Sequence, residues 1–398
     1  MWLPKTETEI IKVVQSGSLE ETAIFDAKEE LSKNSEIAKD IAAMANDGGV
    51  IIYGIGEDEH GRITRLTPLS IDGQAEKIDA IVRSSITEPL VIHISSIPTE
   101  ENPAVGYLIV YIPPSERAPH MVVVKGDHRF YGRSATGNYP LPEGEVARLY
   151  ARRQHIEIDR ENFLDVEIKS APYGPNSNFG YLFLFARPLF ARDKLLDPCL
   201  KNGKNFQTIL NDLIEIVIQP SIFPQNIIYL DFQTPQRWIR RAEGFLGQLC
   251  QPSKLDLPEA PGDTLNIEVE FNGTMHLFCG RIAQKEGNRF LFFPEDTCGL
   301  TLRFMNFIAS LYEQAGYIGM VDIGLAITGI KGTVPCMPRN FRFDRIAVPY
   351  DRDTYRKTTR ASALTIRKEP IEVSKDLIMP LISAITLNHL DPFEKLAK

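Results

Sequence analysis

The chain has 398 residues, of which 43% are hydrophobic and 24% charged, and a formal net charge of -8. That is enough apolar content for two substantial cores, so a disordered or fibrous chain is excluded, and bulk positive charge is not available for sequence-independent binding of nucleic acid. No apolar stretch approaches the length of a bilayer, and the opening Met1-Trp2-Leu3-Pro4-Lys5-Thr6-Glu7 is too polar for a signal peptide; a cytoplasmic protein with no membrane partner is expected. The five cysteines, Cys199, Cys250, Cys279, Cys298 and Cys336, are widely spaced without a CxxC, which implies buried thiols rather than a disulfide framework or a zinc site.

From Phe25 the run Glu21-Thr22-Ala23-Ile24-Phe25-Asp26-Ala27-Lys28 alternates apolar and polar residues, which predicts a short strand with Asp26 and Lys28 on one face. A carboxylate two residues before a lysine suits a metal-dependent phosphodiesterase: one group holds a divalent cation and the other neutralises growing phosphate charge. A solvated surface strand with the same two side chains outward is the alternative. Strand geometry adds a condition. Positions five apart face opposite sides, so Glu21 joins Asp26 only if the chain turns near Thr22.

A helix follows, capped by Asn34 or Ser35, with Ile37, Ile41 and Met44 on one stripe. It ends at Gly48-Gly49, both suited to positive φ, and leads into a buried strand, Val50 to Tyr53. Gly54-Ile55-Gly56 then opens an acidic turn, Glu57-Asp58-Glu59, with His60 beside it as a loop histidine or a proton carrier.

Residues 1 to 101 hold 9 Lys or Arg against 19 Asp or Glu, net -10, whereas residues 102 to 155 hold 7 against 4, net +3. Such a division suits an acidic metal-binding cluster beside a basic patch that positions a phosphate backbone. The best candidate for that patch is 117 to 133, where Arg117, His120, Lys125, His128, Arg129 and Arg133 interleave with Phe130 and Tyr131. The other reading of this segment is a hairpin with Gly126-Asp127 as its turn and its aromatics packed inward. Arg148, Arg152 and Arg153, near the carboxyl end of a helix from Pro142 to Tyr150, favour the helix dipole without any ligand. The chain carries no GxxxxGK[ST], no GxGxxG after a strand, no HExxH and no GxSxG, which leaves phosphate loops, zinc hydrolases and serine hydrolases unsupported.

Taken together, Glu-Thr-x-x-x-acid-x-Lys, a helix ending Ala-x-Ala-Asn-x-Gly-Gly, and Gly-Ile-Gly-Glu-Asp before a glycine resemble the Schlafen AlbA-type domain. Arg117-Ala118-Pro119-His120, Phe130-Tyr131-Gly132-Arg133-Ser134 and the helix after Pro142 resemble its second half, so the likeness runs over about residues 15 to 153. The resemblance implies a mixed α/β domain that binds nucleic acid, RNA before DNA, and, in nuclease members, a site of three carboxylates that cuts RNA, including tRNA-like substrates, with Mg²⁺ or Mn²⁺. Those carboxylates fall on Glu21, Asp26 and Glu57, with Asp58 as the alternative third, and Lys28 beside them as a transition-state stabiliser. Asp26 stands where the family usually has glutamate, and Ala27 where it usually has an aromatic. A role in prokaryotic defence is a further expectation from the resemblance.

After about Ile158 the pattern changes, which predicts two domains, 1–157 and 158–398. The second is expected to be a larger α+β domain, opened by a loop over 170 to 177. Strands are expected at Tyr181 to Ala186, Ile227 to Phe232, Leu265 to Phe271, Met275 to Cys279, Arg289 to Phe293 and Val321 to Ile330, with a hairpin at Asn272-Gly273. Helices are expected at Phe206 to Ile218, Leu300 to Gln314 and Ser374 to Leu387. An Asn-x-x-x-His helix and a glycine-rich lid are missing, so no nucleotide cofactor is expected. Two basic clusters, Arg237, Arg240, Arg241 and Arg352, Arg356, Lys357, Arg360, Arg367, Lys368, read as solvated surface or as polymer contacts. Three readings therefore stand: a metal-dependent endonuclease, a non-catalytic nucleic-acid-binding regulator, and an interaction subunit that joins an effector or a second copy through its carboxy-terminal half.

Overall fold

The computed structural model describes every residue except 1, 59–61, 89, 135–136, 170–173, 175–177, 191–193, 201–204, 220, 223–231, 236–237, 250–261, 263, 337–348, 388–389 and 395–398. Helices and strands are mixed throughout, so the chain is α+β, and it divides into two compact units, Met1–Ile158 and Asp159–Lys398.

The amino-terminal unit runs α1 (Glu7–Gln15), β1 (Phe25–Lys28), α2 (Asn34–Met44), β2 (Gly49–Tyr53), β3 (Ile55–Glu57), β4 (Ile63–Leu66), β5 (Leu69–Ser70), α3 (Gln74–Ser85), β6 (His93–Pro98), β7 (Val105–Ile112), β8 (Met121–Val124), β9 (Asp127–Ser134), β10 (Gly137–Pro140) and the start of α4 (Glu143–Lys169). Among the described residues its main sheet has the order β1-β2-β7-β5, with β6 also on β7. The β1–β2 pair is parallel, and α2 supplies the crossover that parallel neighbours require. In register, Asp26 lies beside Ile51 and Lys28 beside Tyr53. Ile51 and Tyr53 belong to the core that also holds Ile37, Ile41 and Met44 of α2, so the two charged side chains of β1 share a face with that core.

Helix α2 begins at Asn34 with Lys33 at its N-cap and no side-chain cap bond, so the expected Asn34 or Ser35 cap does not form. At its other end Gly48 takes φ 83° and donates its N–H to Met44 O at 2.7 Å, while Gly49 is already strand. Between Met44 and Gly48 sits Asn46, which is buried and donates from Nδ2 to the carbonyl of Tyr131 on β9 at 2.8 Å. Arg152 of α4 donates to Asn46 O at 2.6 Å and pairs with Asp47 at 3.2 Å. The Ala-Asn-Asp-Gly-Gly run thus ties α2 to both the β8–β10 sheet and α4.

Strands β8, β9 and β10 form a separate three-stranded sheet, order β10-β9-β8. The β8–β9 turn is Lys125-Gly126, one residue earlier than expected, because Val124 pairs with Asp127 and Gly126 takes φ 82°.

Helix α4 does not stop at Tyr150. Residues 151 to 162, with three Arg and two Glu, continue it to Lys169, and Phe163 and Leu164 near its end are buried.

The carboxy-terminal unit continues with β11 (Phe179–Pro188), α5 (Asp197–Leu200), α6 (Phe206–Val217), β12 (Trp238–Arg240), β13 (Gly244–Gln248), β14 (Leu265–Glu270), β15 (Met275–Glu286), β16 (Arg289–Phe292), α7 (Pro294–Ala315), β17 (Met320–Thr328), β18 (Val334–Pro335), β19 (Thr354–Ser362), α8 (Ala363–Lys368) and α9 (Pro370–Thr386). Its sheet has the order β12-β13-β14-β15-β11-β17-β19, with β16 on β15 and β18 on β16. Leu182, Leu184 and Ala186 of β11 join the core made with α6, α7 and α9, while Tyr181, Phe183 and Phe185 pack with Phe163 and Leu164 on the other face. The Asn272-Gly273 hairpin forms, with Gly273 at φ 89°. The expected strand from Ile227 and most of the expected loop over 170 to 177 lie outside the described residues, as do Arg237, His60 and Cys250. The described thiols Cys199, Cys279 and Cys298 are buried and Cys336 is half-buried, all four without a disulfide. Among the described residues no helix is long and apolar enough to cross a membrane.

Replacing Asn46 by Ala leaves the buried Tyr131 carbonyl without its donor, and a buried unsatisfied group costs about 1–3 kcal/mol. The urea midpoint of Asn46→Ala falls accordingly with an unchanged slope; an unshifted midpoint would show that the link between α2 and β9 carries no stability.

Candidate functional site

The site begins with a tight turn. Thr22 and Phe25 exchange backbone hydrogen bonds, Thr22 N to Phe25 O at 3.0 Å and Phe25 N to Thr22 O at 3.3 Å, with Ala23 and Ile24 at the corner. Glu21 is folded back along β1, and its Oε1 accepts the Ala27 N–H at 3.2 Å. The reversal meets the condition that strand alternation imposes on Glu21: it brings the Glu21 carboxyl group beside Asp26, with Glu57 at the end of β3 acting on it electrostatically. Partial burial first, then the neighbouring Asp26 and Glu57, push Glu21 up to about 7.

Asp26 is 2% exposed. Its Oδ1 pairs with Arg133 Nη2 at 2.8 Å and its Oδ2 with Lys28 Nζ at 3.1 Å. The same two cations reach a second buried carboxylate, Asp40 on α2, through Lys28 Nζ at 3.3 Å and Arg133 Nη1 at 3.4 Å. Asn138 of β10 also donates to Asp40, at 2.7 Å. Asp26, Lys28, Asp40 and Arg133 therefore close a ring of alternating charge. Burial opposes charge on Lys28, yet Asp40 and Asp26 hold its ammonium above the usual range. Burial likewise raises Asp40 against the pull of Lys28 and Arg133. Sequence reasoning missed Asp40 and Asn138. The signal for Asp40 was its position three residues after Ile37 and four before Met44, which puts a charge on the apolar stripe of α2.

Of the two acids in the turn after β3, Asp58 is engaged locally: it accepts from Arg62 N at 3.0 Å and Arg62 Nε at 3.1 Å. Glu57 acts on Glu21 electrostatically, and its backbone carbonyl accepts from Arg65 Nε at 2.6 Å.

The proposed basic patch separates into buried and exposed members. His120, expected at the nucleic-acid contact, is 1% exposed, with its ring nitrogens on Thr87 O at 3.2 Å and Ser115 Oγ at 2.7 Å. Burial lowers its basicity, so it is a core residue and not a phosphate ligand. Arg133 is taken by Asp26 and Asp40, and Tyr131 packs inward with its hydroxyl on Asp127 and Lys39 Nζ 5.3 Å from its ring centre. Arg117 stands at the surface beside Glu88 at 3.7 Å, a carboxylate it shares with Arg153 at 3.5 Å. What the β8–β9 hairpin presents to solvent is Lys125, His128 and Arg129, the last 66% exposed in its side chain. In the carboxy-terminal unit the basic residues are largely matched: Arg241 by Glu268 at 2.6 Å, Arg360 by Asp322 at 2.6 Å, Arg367 by Glu313 at 2.8 Å and Arg356 by Asp165.

A second polar cluster in that unit went unread in the sequence. His276 of β15 is held between Glu167, 2.8 Å from Nδ1, and Glu270, 3.1 Å from Nε2, and although burial opposes it these two carboxylates lift the imidazole to about 9. A protonated imidazole locked between two acids serves as a structural ion triad, not a proton carrier near neutral pH.

Glu21, Asp26 and Glu57 offer carboxylate oxygens of the kind a hard divalent cation takes, but both oxygens of Asp26 are already paired, Oδ1 with Arg133 and Oδ2 with Lys28. Among the described residues no three acid, histidine or cysteine side chains are already spaced as a complete ligand set.

Glu21 titrates near 4.5 in an unfolded chain and near 7 here, so between those pH values the folded state holds more protons than the unfolded one, and stability falls as pH rises through this window. Thermal melts from pH 4.5 to 8 show this decline for the parent chain, and Glu21→Gln flattens it and melts higher at pH 8. Parallel pH profiles for the two proteins would contradict the placement of Glu21 beside Asp26.

Residues 21–142 match the Schlafen, AlbA_2 family, which covers the carboxylates, the ring and the β8–β9 hairpin and ends before α4. No curated protein is similar to the chain at a significant level. On this match, residues 21–142 of the amino-terminal unit form a Schlafen AlbA_2 domain.

Proposed function

We propose that the amino-terminal unit processes nucleic acid by cutting the phosphodiester backbone of RNA, tRNA-like molecules included, with the help of Mg²⁺ or Mn²⁺. The observation that carries this reading is the return of Glu21 onto Asp26 beside the partly exposed ammonium of Lys28. Glu21, Asp26 and Glu57 would hold the ion, and Asp58 stays with Arg62. When bound, the ion supplies Lewis-acid stabilisation of the phosphoryl oxygens. The chain's own contribution is charge and placement. Lys28 keeps 25% of its side chain open to solvent, and there its ammonium offsets the negative charge that grows on phosphate. Lys125, His128 and Arg129 on the β8–β9 hairpin, with Arg117 beyond it, position the backbone without reading sequence.

A second reading, a binding module without catalysis, is favoured by a specific observation: Asp26 already has Arg133 and Lys28 against its two oxygens. A defence role, and assembly with an effector or a second copy through the carboxy-terminal unit, belong to the same proposal.

Purified protein incubated with labelled tRNA, single-stranded RNA and DNA, in Mn²⁺ or in chelator, separates the two readings. Cutting in Mn²⁺ that falls roughly a hundredfold in Asp26→Ala supports the enzyme; binding without cutting by either protein supports the module. Under both readings the double variant Lys125→Glu, Arg129→Glu binds RNA more weakly and lowers the salt slope by about 2. An unchanged slope removes the hairpin from the account.

A further inference from the structure

We infer that the outer face of the β8–β10 sheet is a stacking site for the unpaired bases of a single-stranded nucleic acid, with Tyr139 and Tyr150 as its platforms. The inference rests on the nucleic-acid-binding reading above, needs no metal ion, and concerns residues outside the acidic cluster and the charged ring. Strand alternation divides β9 between two faces. Tyr131 and Arg133 turn toward α2, where Tyr131 joins the core and Arg133 meets Asp40. His128, Phe130 and Gly132 therefore take the opposite face.

That face holds its rings in place and leaves them open. Tyr139 of β10 pairs with Gly132, and a Cβ at position 132 would lie 2.8 Å from Tyr139 Cζ, so the glycine makes room for the ring. Glu145 of α4 accepts from the Tyr139 hydroxyl at 3.2 Å, yet Tyr139 stays 37% exposed. Phe130 is half-buried and meets Tyr150 of α4 edge to face, with ring centres 6.2 Å apart at 87°. Tyr150 is 43% exposed, and it also lines an open cavity of about 430 Å³ with Arg153, Gln154, Glu157 and Ile158. Leu149 next to it is buried, which anchors the helix while the tyrosine remains uncovered. Rings held by their neighbours and open to water suit single strands, because every unpaired base offers a π-face and a duplex keeps its bases stacked inside.

Charge selects the occupant. Lys125, His128 and Arg129 are exposed on the same hairpin as Phe130, and Arg148, exposed on α4, acts electrostatically on the Tyr139 hydroxyl. Cations beside aromatic rings match a phosphate backbone whose bases turn onto the rings, whereas an apolar protein surface would gain nothing from them.

Fluorescence anisotropy on the full chain, in chelator, separates stacking from charge when the probes are labelled oligouridylate, its duplex with oligoadenylate, and an abasic oligomer of equal length. Tyr139→Ala and Tyr150→Ala are each expected to weaken oligouridylate binding roughly tenfold, with the salt slope and the abasic binding unchanged. Tyr139→Phe and Tyr150→Phe keep the parent affinity, because the ring and not the hydroxyl stacks. The parent binds oligouridylate more tightly than the duplex. Melting curves check the fold of each variant, and should one alanine variant fold poorly, the other carries the test. Parent-like oligouridylate affinity in the folded alanine variants, or an equal loss toward the abasic oligomer, overturns the stacking site and leaves the nucleic-acid reading in place. A parent chain that binds none of the three probes overturns that reading, and this inference with it.

Discussion

A carboxylate with 2% of its surface open to solvent requires counter-charge, and the geometry of the amino-terminal unit follows from how Asp26 obtains it. One cation comes from its own strand, two residues on; the other, Arg133, comes from β9, more than a hundred residues later in the chain, a strand whose backbone Asn46 also ties to the end of α2. Asp40 joins from the buried face of α2 and closes the ring. Buried ion pairs contribute little net stability once desolvation is counted, so the ring fixes where Lys28 and Arg133 lie more than it adds folding energy. The turn at Thr22–Phe25 returns Glu21 to the side of Asp26, where burial and the neighbouring acids push its carboxyl group up to about 7.

Much of the scaffold was legible from periodicity. The apolar stripe of α2, the buried run of β2, the Asn272-Gly273 hairpin and helices α6, α7 and α9 all rest on local patterns that tertiary packing reinforces. Helix α4 was read short because residues 151 to 162 carry little apolar signal, although the helix runs on through them to Lys169. Strand β19 read only as a basic run: its Arg and Lys side chains pair with acids from other elements, so charge obscured its strand character.

The site was legible in part. Asp26 and Lys28 stand two apart on one strand face, and strand alternation made a turn necessary before Glu21 could join them; the backbone makes that turn. His120 and Arg133 were read as surface cations because composition does not distinguish a solvated arginine from one buried against two carboxylates. That difference depends on α2, β1 and β9 meeting, which no local pattern encodes. The match to the Schlafen AlbA_2 family spans the same elements and ties the cluster to nucleic acid in general, while the choice between cleavage and binding rests on the charge balance around Asp26.

That balance has one direct measurement: a crystal structure of the protein grown or soaked with Mn²⁺, with anomalous data collected at the manganese edge. The account predicts a single anomalous peak bounded by the carboxylates of Glu21, Asp26 and Glu57, with Lys28 still resting on Asp40. An empty cluster at high Mn²⁺ concentration, or a peak elsewhere in the amino-terminal unit, would contradict it and leave the ring as a charged brace within a nucleic-acid-binding fold.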